Sequence, residues 1–136
     1  MSNELMIDFP SPCNMYVLTI EDDGKTGYGY LKHMDRIVGD VWLYNRCEAP
    51  ETTEWQDKKN LPFANCKGYV NPQGLMERDV SADDINIDWD YGKAGLVVYV
   101  YFFEDLYGAL RPNDKPGYAR FAIKSGPLAK VMEMEN

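Results

Sequence analysis

The residues in this sequence that are best suited to chemistry are one histidine, three cysteines and a run of carboxylates. His33 is the only histidine, and Asp35 or Asp40 could orient it as the base of a nucleophilic device. The nucleophile would be one of the three cysteines, Cys13, Cys47 and Cys66. No spacing selects one of them and no nucleophile elbow is present, so the sequence disfavours covalent catalysis.

The densest acid lies between Glu77 and Asp90, where six carboxylates are opposed only by Arg78. Four of these carboxylates could hold calcium or act as a general acid–base pair: Asp83, Asp84, Asp88 and Asp90. The run lacks the central glycine and the terminal glutamate of an EF-hand loop. The cysteines and the histidine also lack the paired spacing of a structural zinc site. We therefore predict no catalytic residue, no metal and no other cofactor.

Hydrophobic alternation and frequent turn signals predict a mainly β fold. Strands are predicted at 14–20, 26–31, 37–44, 66–70, 75–80, 85–89, 96–103 and 118–124. Short helices are predicted at 54–59 and 127–134, with a turn at 81–84. The strand at 96–103 lacks polar alternation, which predicts a central strand with both faces covered. We expect one domain over 1–136, an antiparallel β-sandwich or half-open barrel with one or two short helices.

Acidic charge is unevenly distributed along the chain. Residues 1–105 carry 19 acidic and 9 basic residues, a formal charge of −10, whereas residues 106–132 carry 5 basic residues and one acidic residue. The net charge of −8 repels phosphates, so nucleic acid is not expected as a direct partner. A negative field of this kind attracts a basic protein partner and speeds its association.

The sequence signals of cellular location favour the cytoplasm. The N-terminus has no positively charged segment followed by an apolar core, which argues against a secretory signal. The longest apolar run, 95–103, is too short to cross a bilayer, so no membrane contact is expected. An odd number of widely spaced cysteines indicates reduced thiols. We therefore expect a soluble cytoplasmic protein.

Aromatic residues lie within the acidic segments, as at many protein interfaces. Tyr91 follows Asp90, and Trp55 follows Glu54 in an acidic loop. Interface hot spots favour aromatic side chains, and complementary charge gives registry and fast encounter. The predicted partner-binding residues are Asp83, Asp84, Asp88, Asp90, Tyr91, Glu54 and Trp55. The plainer alternative is a solvated strand edge, where charge discourages edge-to-edge aggregation.

In size, acidity and lack of a catalytic motif, the chain resembles the small acidic immunity proteins of bacterial toxin systems, including contact-dependent growth inhibition. The resemblance rests on the acidic segments 77–90 and 48–57 and the aromatic residues within them. It is a resemblance of class, without a shared motif, and such proteins belong to many folds. It implies a tight complex with the toxic domain of a cognate effector, often a basic nuclease, whose nucleic-acid site the acidic face would cover.

Two other functions stay open at this point. Five aromatic residues could line the cavity of a small-molecule-binding barrel or minor enzyme: Tyr28, Tyr30, Tyr99, Tyr101 and Phe103. Four basic residues could form a nucleic-acid-binding sheet with strongly salt-dependent affinity: Arg111, Lys115, Arg120 and Lys124.

Overall fold

The computed structural model describes residues 4–49, 51, 65–93, 95–126 and 128–132. Their regular structure consists of nine β-strands and two single 3₁₀ turns, at Pro72–Gly74 and Ala82–Asp84. The strands are β1 (Leu5–Pro10), β2 (Tyr16–Asp22), β3 (Thr26–His33), β4 (Arg36–Asn45), β5 (Ile85–Gly92), β6 (Gly95–Phe102), β7 (Asp105–Arg111), β8 (Asp114–Ala119) and β9 (Lys130–Val131). Among the described residues no helix has the length and apolar character that crossing a bilayer requires.

The strands form two sheets, each following the order of the chain. The first sheet is the antiparallel meander β1-β2-β3-β4. The second is β5-β6-β7-β8-β9, in which only the short β9 runs parallel to its neighbour. The predicted mainly antiparallel β fold, a sandwich or half-open barrel with minimal helix, is confirmed.

The core lies between the inward faces of the two sheets, because alternate residues of each strand point the same way. The side chains that it buries completely include Leu18, Ile20, Leu31, Val41 and Leu43 from the first sheet, and Val98, Val100, Phe102 and Leu110 from the second. Burial of one such side chain stabilises the fold by about 1.5–3 kcal/mol. The core therefore fixes which face of β5 and β6 is left for solvent or partners, whereas β4 is buried on both faces from Val41 to Asn45.

The two sheets approach closely on one side only, where β4 crosses β7 and β8. A Cβ at Gly39 on β4 would lie 3.3 Å from the Arg111 carbonyl oxygen of β7, and a Cβ at Gly117 on β8 would lie 3.3 Å from the Val41 Cβ of β4. The outer edge of β4 is also used, since the Trp42 N–H donates to the Leu128 carbonyl at 2.9 Å and the Val38 carbonyl accepts from the Asn113 N–H at 2.7 Å. The opposite side of the sandwich ends in the edge strands β1 and β5.

A buried carboxylate joins the first sheet to the segment that leads into β5. The Asp22 carboxylate accepts hydrogen bonds from the Tyr44 hydroxyl at 2.7 Å, the Arg46 Nε at 2.6 Å and the Gly24 N–H at 2.8 Å. Arg46 also donates to the Arg78 carbonyl at 3.0 Å. Burial is the main cause that raises the pKa of Tyr44 above its ordinary value, and the charge of Asp22 is the second. The Tyr44 hydroxyl therefore stays protonated and donates its hydrogen bond. These residues form the Asp22 cluster.

Several predicted elements differ from the structure. No helix forms over the described part of 127–134, where Lys130–Val131 is strand β9 instead. The predicted strand at 75–80 is reduced to one bridge between Leu75 and Asn45, and β8 ends at Ala119 although its strand was predicted at 118–124. Strands β1 and β7 were not predicted. The helix predicted at 54–59 lies outside the described residues.

Strand β6 also differs from its prediction, because only one of its faces is fully covered. Leu96, Val98, Val100 and Phe102 are buried against the core, while the residues between them are only partly buried. The strand is therefore central within its sheet but keeps one face available.

Candidate protein-binding face

The outward side of the second sheet carries carboxylates, tyrosines and a lysine on neighbouring strands. We call it the outer face and define it by Asn86, Asp88, Asp90, Val97, Tyr99, Tyr101, Ala109, Tyr118 and Lys130. The residues from β5 are exposed, and Val97, Tyr99, Tyr101 and Tyr118 are partly buried. None of these four is among the partly buried side chains that pack against the core. The outer face therefore presents aromatic and apolar surface that the described core does not use.

One row of directly paired residues crosses all five strands of the outer face. Asp88 pairs with Tyr99, which pairs with Ala109, which pairs with Tyr118, which pairs with Lys130. At the usual strand spacing this row is about 19 Å wide. Ala109, between the two tyrosines, is buried. The row thus has an acidic end, an aromatic centre and a basic end.

The structure brings together two of the predicted acidic residues, because Asp88 and Asp90 alternate with inward-facing Ile87 and Trp89 on β5. Residues two apart on a strand are about 7 Å apart on one face. Asp88 lies opposite Tyr99, and Asp90 lies opposite Val97 on β6. Their carboxylates therefore flank the aromatic centre of the outer face.

The other predicted residues have different positions. Asp83 is exposed in the 3₁₀ turn that precedes β5. Asp84 is partly committed to the fold, since its carboxylate accepts from the Ser81 N–H at 2.9 Å and the Ser81 hydroxyl at 3.1 Å. Tyr91 is 55% exposed near the end of β5, and its hydroxyl contacts the Cys13 sulfur. Glu54 and Trp55 lie outside the described residues.

The carboxylates of the acidic end are not neutralised by the described part of the molecule. The ion pairs formed within it are Arg46 with Asp22, Lys67 with Glu51 and Lys130 with Asp114. None of them involves Asp83, Asp84, Asp88 or Asp90. Their charge is therefore available to a cation from outside.

The basic residues of the C-terminal region lie at the far side of the same sheet or beyond it. Lys130 forms an ion pair with Asp114 at 2.6 Å, and its ammonium lies 5.2 Å from the centre of the Tyr118 ring. Arg120 lies over Phe121, and Lys124 lies over Tyr69. Each of these three cations thus lies beside an aromatic ring, and Lys130 is the one whose charge is paired with a carboxylate among the described ion pairs. Arg111 and Lys115 are exposed on β7 and β8.

The residues considered for covalent catalysis do not assemble into a device. His33 lies at the end of β3 with its ring 4.8 Å from that of Tyr16, whereas Asp40 pairs with Tyr30 in the middle of the sheet. Cys66 is buried, and none of the three cysteines is in a disulfide. Within the described ranges no three His, Cys, Asp or Glu side chains are grouped as metal ligands.

The aromatic residues expected around a ligand cavity are divided between different parts of the fold. Tyr28, which is buried in the core, stacks on Tyr30 in the first sheet, whereas Tyr99 and Tyr101 belong to the outer face. Phe103 is in the β6–β7 turn under the Arg78 guanidinium. A cavity of about 670 Å³ does exist beside the end of β4. Its mainly apolar lining includes Asn45, Val70, Pro72, Leu75 and Ile123, with no aromatic side chain among the described lining residues.

An exposed thiol lies where the β1–β2 connection meets the end of β5. The Cys13 sulfur is 3.4 Å from the hydroxyl oxygens of both Ser11 and Tyr91. Hydrogen bonds from Ser11 and then Tyr91 lower the pKa of Cys13 to about 7. The thiol contact in turn raises the pKa of Tyr91 above its ordinary value. Both ionisation states of Cys13 are therefore populated near neutrality.

This geometry predicts that iodoacetamide alkylates Cys13 with a rate that rises through a midpoint near pH 7, because the thiolate is the nucleophile. Replacement of Tyr91 by phenylalanine removes one hydrogen bond to the thiolate, so the midpoint should shift toward higher pH. Peptide-resolved mass spectrometry across a pH series measures both midpoints, with Cys66 as the buried control. An unchanged midpoint in Tyr91→Phe would contradict the assignment.

Sequence reasoning missed the contribution of Tyr99, Tyr101 and Lys130 to this face. A signal for the tyrosines was present, since Tyr99 and Tyr101 alternate with Val98 and Val100, and amphipathic aromatic rings are typical of half-exposed surfaces. No local signal marks Lys130, because its place depends on the parallel pairing of β9 with β8.

By its architecture the chain is a two-sheet, mainly antiparallel β protein, with partly buried tyrosines and exposed carboxylates on the outer face of its second sheet. Comparison with family models, curated proteins and solved structures finds no match to it.

Proposed function

We propose that this chain is a non-enzymatic binding protein that neutralises a basic protein partner in the cytoplasm. The most specific form of the proposal is an immunity protein that inhibits the toxic domain of a bacterial effector, such as a nuclease. The observation that carries it is the acidic end of the outer face, where Asp88 and Asp90 have no described ion-pair partner and adjoin Tyr99.

The composition of this surface is that of an efficient protein interface. Exposed carboxylates steer a cationic partner during diffusion and suppress acidic competitors. Tyrosines supply large contact areas with few rotatable bonds, which is why they are enriched at binding hot spots. Blocking a basic nuclease in this way needs no catalytic group, because covering its nucleic-acid site is sufficient.

The proposal predicts that the double variant Asp88→Lys, Asp90→Lys loses its partner while remaining folded. Like charges against a basic surface cost several kcal/mol, so we expect at least a 100-fold weaker Kd at low salt. The wild type and the variant would be used in parallel for affinity capture from the cells that make the chain. Captured proteins would be identified by mass spectrometry, and their affinity measured across a salt series.

The matched control is Glu48→Lys, Glu77→Lys, which changes the net charge equally at exposed sites outside the outer face. The proposal is supported if the wild type and the control both capture the same basic protein, and the Asp88→Lys, Asp90→Lys variant does not. The wild type must also inhibit the toxic activity of that protein. A partner that all three proteins hold equally would refute it.

The cavity beside β4 supports a second candidate function, the binding of a small apolar molecule. Its volume of about 670 Å³ falls in the range of ordinary ligand sites, about 300–1,000 Å³. A ligand that binds only the folded state raises the melting temperature. A thermal-shift screen with lipophilic metabolites tests this, using Leu75→Trp to fill the cavity as the control.

A further inference from the structure

We infer that the partner is held by strand addition: an extended cationic segment, with lysine or arginine at alternate positions, pairs with the free edge of β5. The inference rests on the proposed function and specifies how that surface is used. Its evidence is the backbone of β5, which supports the added strand, together with the Asp88 and Asp90 carboxylates, which support a cationic one.

Strand β5 is a regular edge strand, and the described residues leave one row of its backbone groups unused. Among them it pairs only with β6, over the whole range Ile85–Gly92 and without a register shift. By contrast, the β3–β4, β6–β7 and β7–β8 pairs all contain irregularities. Within the described chain, no residue from 86 to 92 forms a backbone hydrogen bond outside its own sheet.

The hydrogen bonds at the start of β5 establish which residues point to the free edge. The Asp84 carbonyl accepts from the Phe103 N–H at 2.8 Å, so it points toward β6, while the Ile85 N–H donates backward to Ala82. In an antiparallel pair this direction alternates from one residue to the next. The N–H and C=O groups of Ile87, Trp89 and Tyr91 therefore face outward.

An added antiparallel strand would form its hydrogen-bonded pairs at those three residues. Asp88 and Asp90 would then lie in the closer, non-hydrogen-bonded pairs, where opposite side chains are in direct contact. Lysine or arginine at these two positions would meet an unpaired carboxylate. The residue between them would lie on the other face, beside half-buried Trp89 and Ile87, which favours an apolar side chain.

The same geometry makes a second copy of this chain a poor occupant. Antiparallel pairing of two β5 strands would bring four carboxylates together on one face, and like charges directly opposite are destabilising. Proline and β-bulges commonly protect exposed edge strands from aggregation, but β5 has neither. Its carboxylate side chains are therefore its remaining protection. The carboxylates of β5 therefore disfavour pairing with a second copy of the chain and favour pairing with a cationic strand.

The test uses a capped nonapeptide in which three lysines alternate with two valines between Thr-Gly ends, and the same peptide N-methylated at both valines. Both peptides have the same charge, but the second cannot donate its backbone hydrogen bonds to β5. Titration calorimetry would give both Kd values, and NMR hydrogen exchange would follow the amides of Ile87, Trp89 and Tyr91. We expect N-methylation to weaken binding at least tenfold, and the parent peptide to slow exchange at Trp89 at least tenfold.

A pair of variants makes the same comparison from the protein side. Tyr91→Pro removes one outward N–H without breaking a β5–β6 hydrogen bond, whereas Tyr91→Ala removes only the side chain. We expect the proline variant to bind the parent peptide at least tenfold more weakly than the alanine variant. The wild-type comparison of the two peptides decides the question even if Tyr91→Pro does not fold.

The outcomes separate the two proposals. Equal binding of both peptides, or no binding of either, would overturn strand addition. If the captured partner still requires Asp88 and Asp90, the proposed function survives that result. Binding of the parent peptide that ignores the Asp88→Lys, Asp90→Lys change would remove the charge argument on which both depend.

Discussion

Replacement of Asp22 by asparagine is expected to lower the free energy of unfolding by about 4 kcal/mol, because it leaves a buried guanidinium without its counter-charge. The carboxylate is completely buried and the Arg46 side chain is 11% exposed. Asparagine has nearly the same volume, so the loss would report the charge and the hydrogen bonds rather than a cavity. Urea denaturation measures it, and the melting temperature should fall by about 14 °C.

Two further variants identify the cause of that loss. Combining Asp22→Asn with Arg46→Met removes both charges, and should recover at least half of the stability, because a buried ion pair can be replaced by apolar groups at little cost. Glu51→Gln breaks an exposed pair, with side chains 51% and 78% exposed, and should change stability by less than about 0.5 kcal/mol. Equal losses in Asp22→Asn and in the double variant would contradict the role given to the buried charge.

The second large effect concerns Gly117, at the place where the two sheets meet. A Cβ at this position would lie 2.5 Å from the Ala109 carbonyl oxygen and 3.3 Å from Val41. The carbonyl belongs to the backbone of the neighbouring strand, so no rotamer change can relieve the contact. Gly117→Ala should therefore lower the free energy of unfolding by about 3 kcal/mol, as overpacking in a core does.

Gly92→Ala is the matched control for Gly117→Ala. Its Cβ would meet nothing closer than the Gly95 carbonyl at 3.9 Å, and its φ is not in the left-handed region. Alanine there should leave stability unchanged or raise it by about 0.4–1 kcal/mol, because it restricts the unfolded chain. Chemical denaturation of both variants gives the comparison. A loss at Gly92 as large as that at Gly117 would show that close packing is not the reason.

The sequence predicted the strands whose hydrophobic residues alternate or cluster locally. Strands β2, β3 and β4 were found because β-branched and aromatic residues surround clear turns, including Asp23-Gly24. Strand β5 was found from the alternation of Ile85, Ile87 and Trp89 with polar residues. The same alternation was present in β1, where Leu5, Ile7 and Phe9 are the less exposed residues, but it was not used.

The remaining elements depend on contacts distant in sequence. Strand β7 contains Gly108, which looks like a weak strand residue, yet a Cβ there would lie 2.5 Å from the Leu43 side chain. Residues 128–132 have helical spacing, but pairing with β8 decides their structure. Propensity could not reveal either, since tertiary packing overrides it for short segments.

The candidate site was predictable in its charge but not in its geometry. Alternation on β5 was enough to place Asp88 and Asp90 on one side of a strand. The neighbours of these residues, Tyr99 and Tyr101, follow from the register with β6, which no single-strand pattern contains. The engagement of Asp84 by Ser81 likewise depends on a turn whose capping hydrogen bonds are seen only in the structure.

The outer face is charged unevenly across its width, because Asp88 and Asp90 at the β5 side form none of the described ion pairs, whereas Lys130 at the β9 side is paired with Asp114. The field of an approaching cationic partner exerts a torque on the protein, which turns the β5 side toward the partner before contact. A polyanion would be repelled from the β5 side. Encounters in which β5 faces the partner are therefore favoured while the two molecules are still separated by solvent. Added salt should abolish this preference, because the Debye length shrinks to about 3 Å at 1 M.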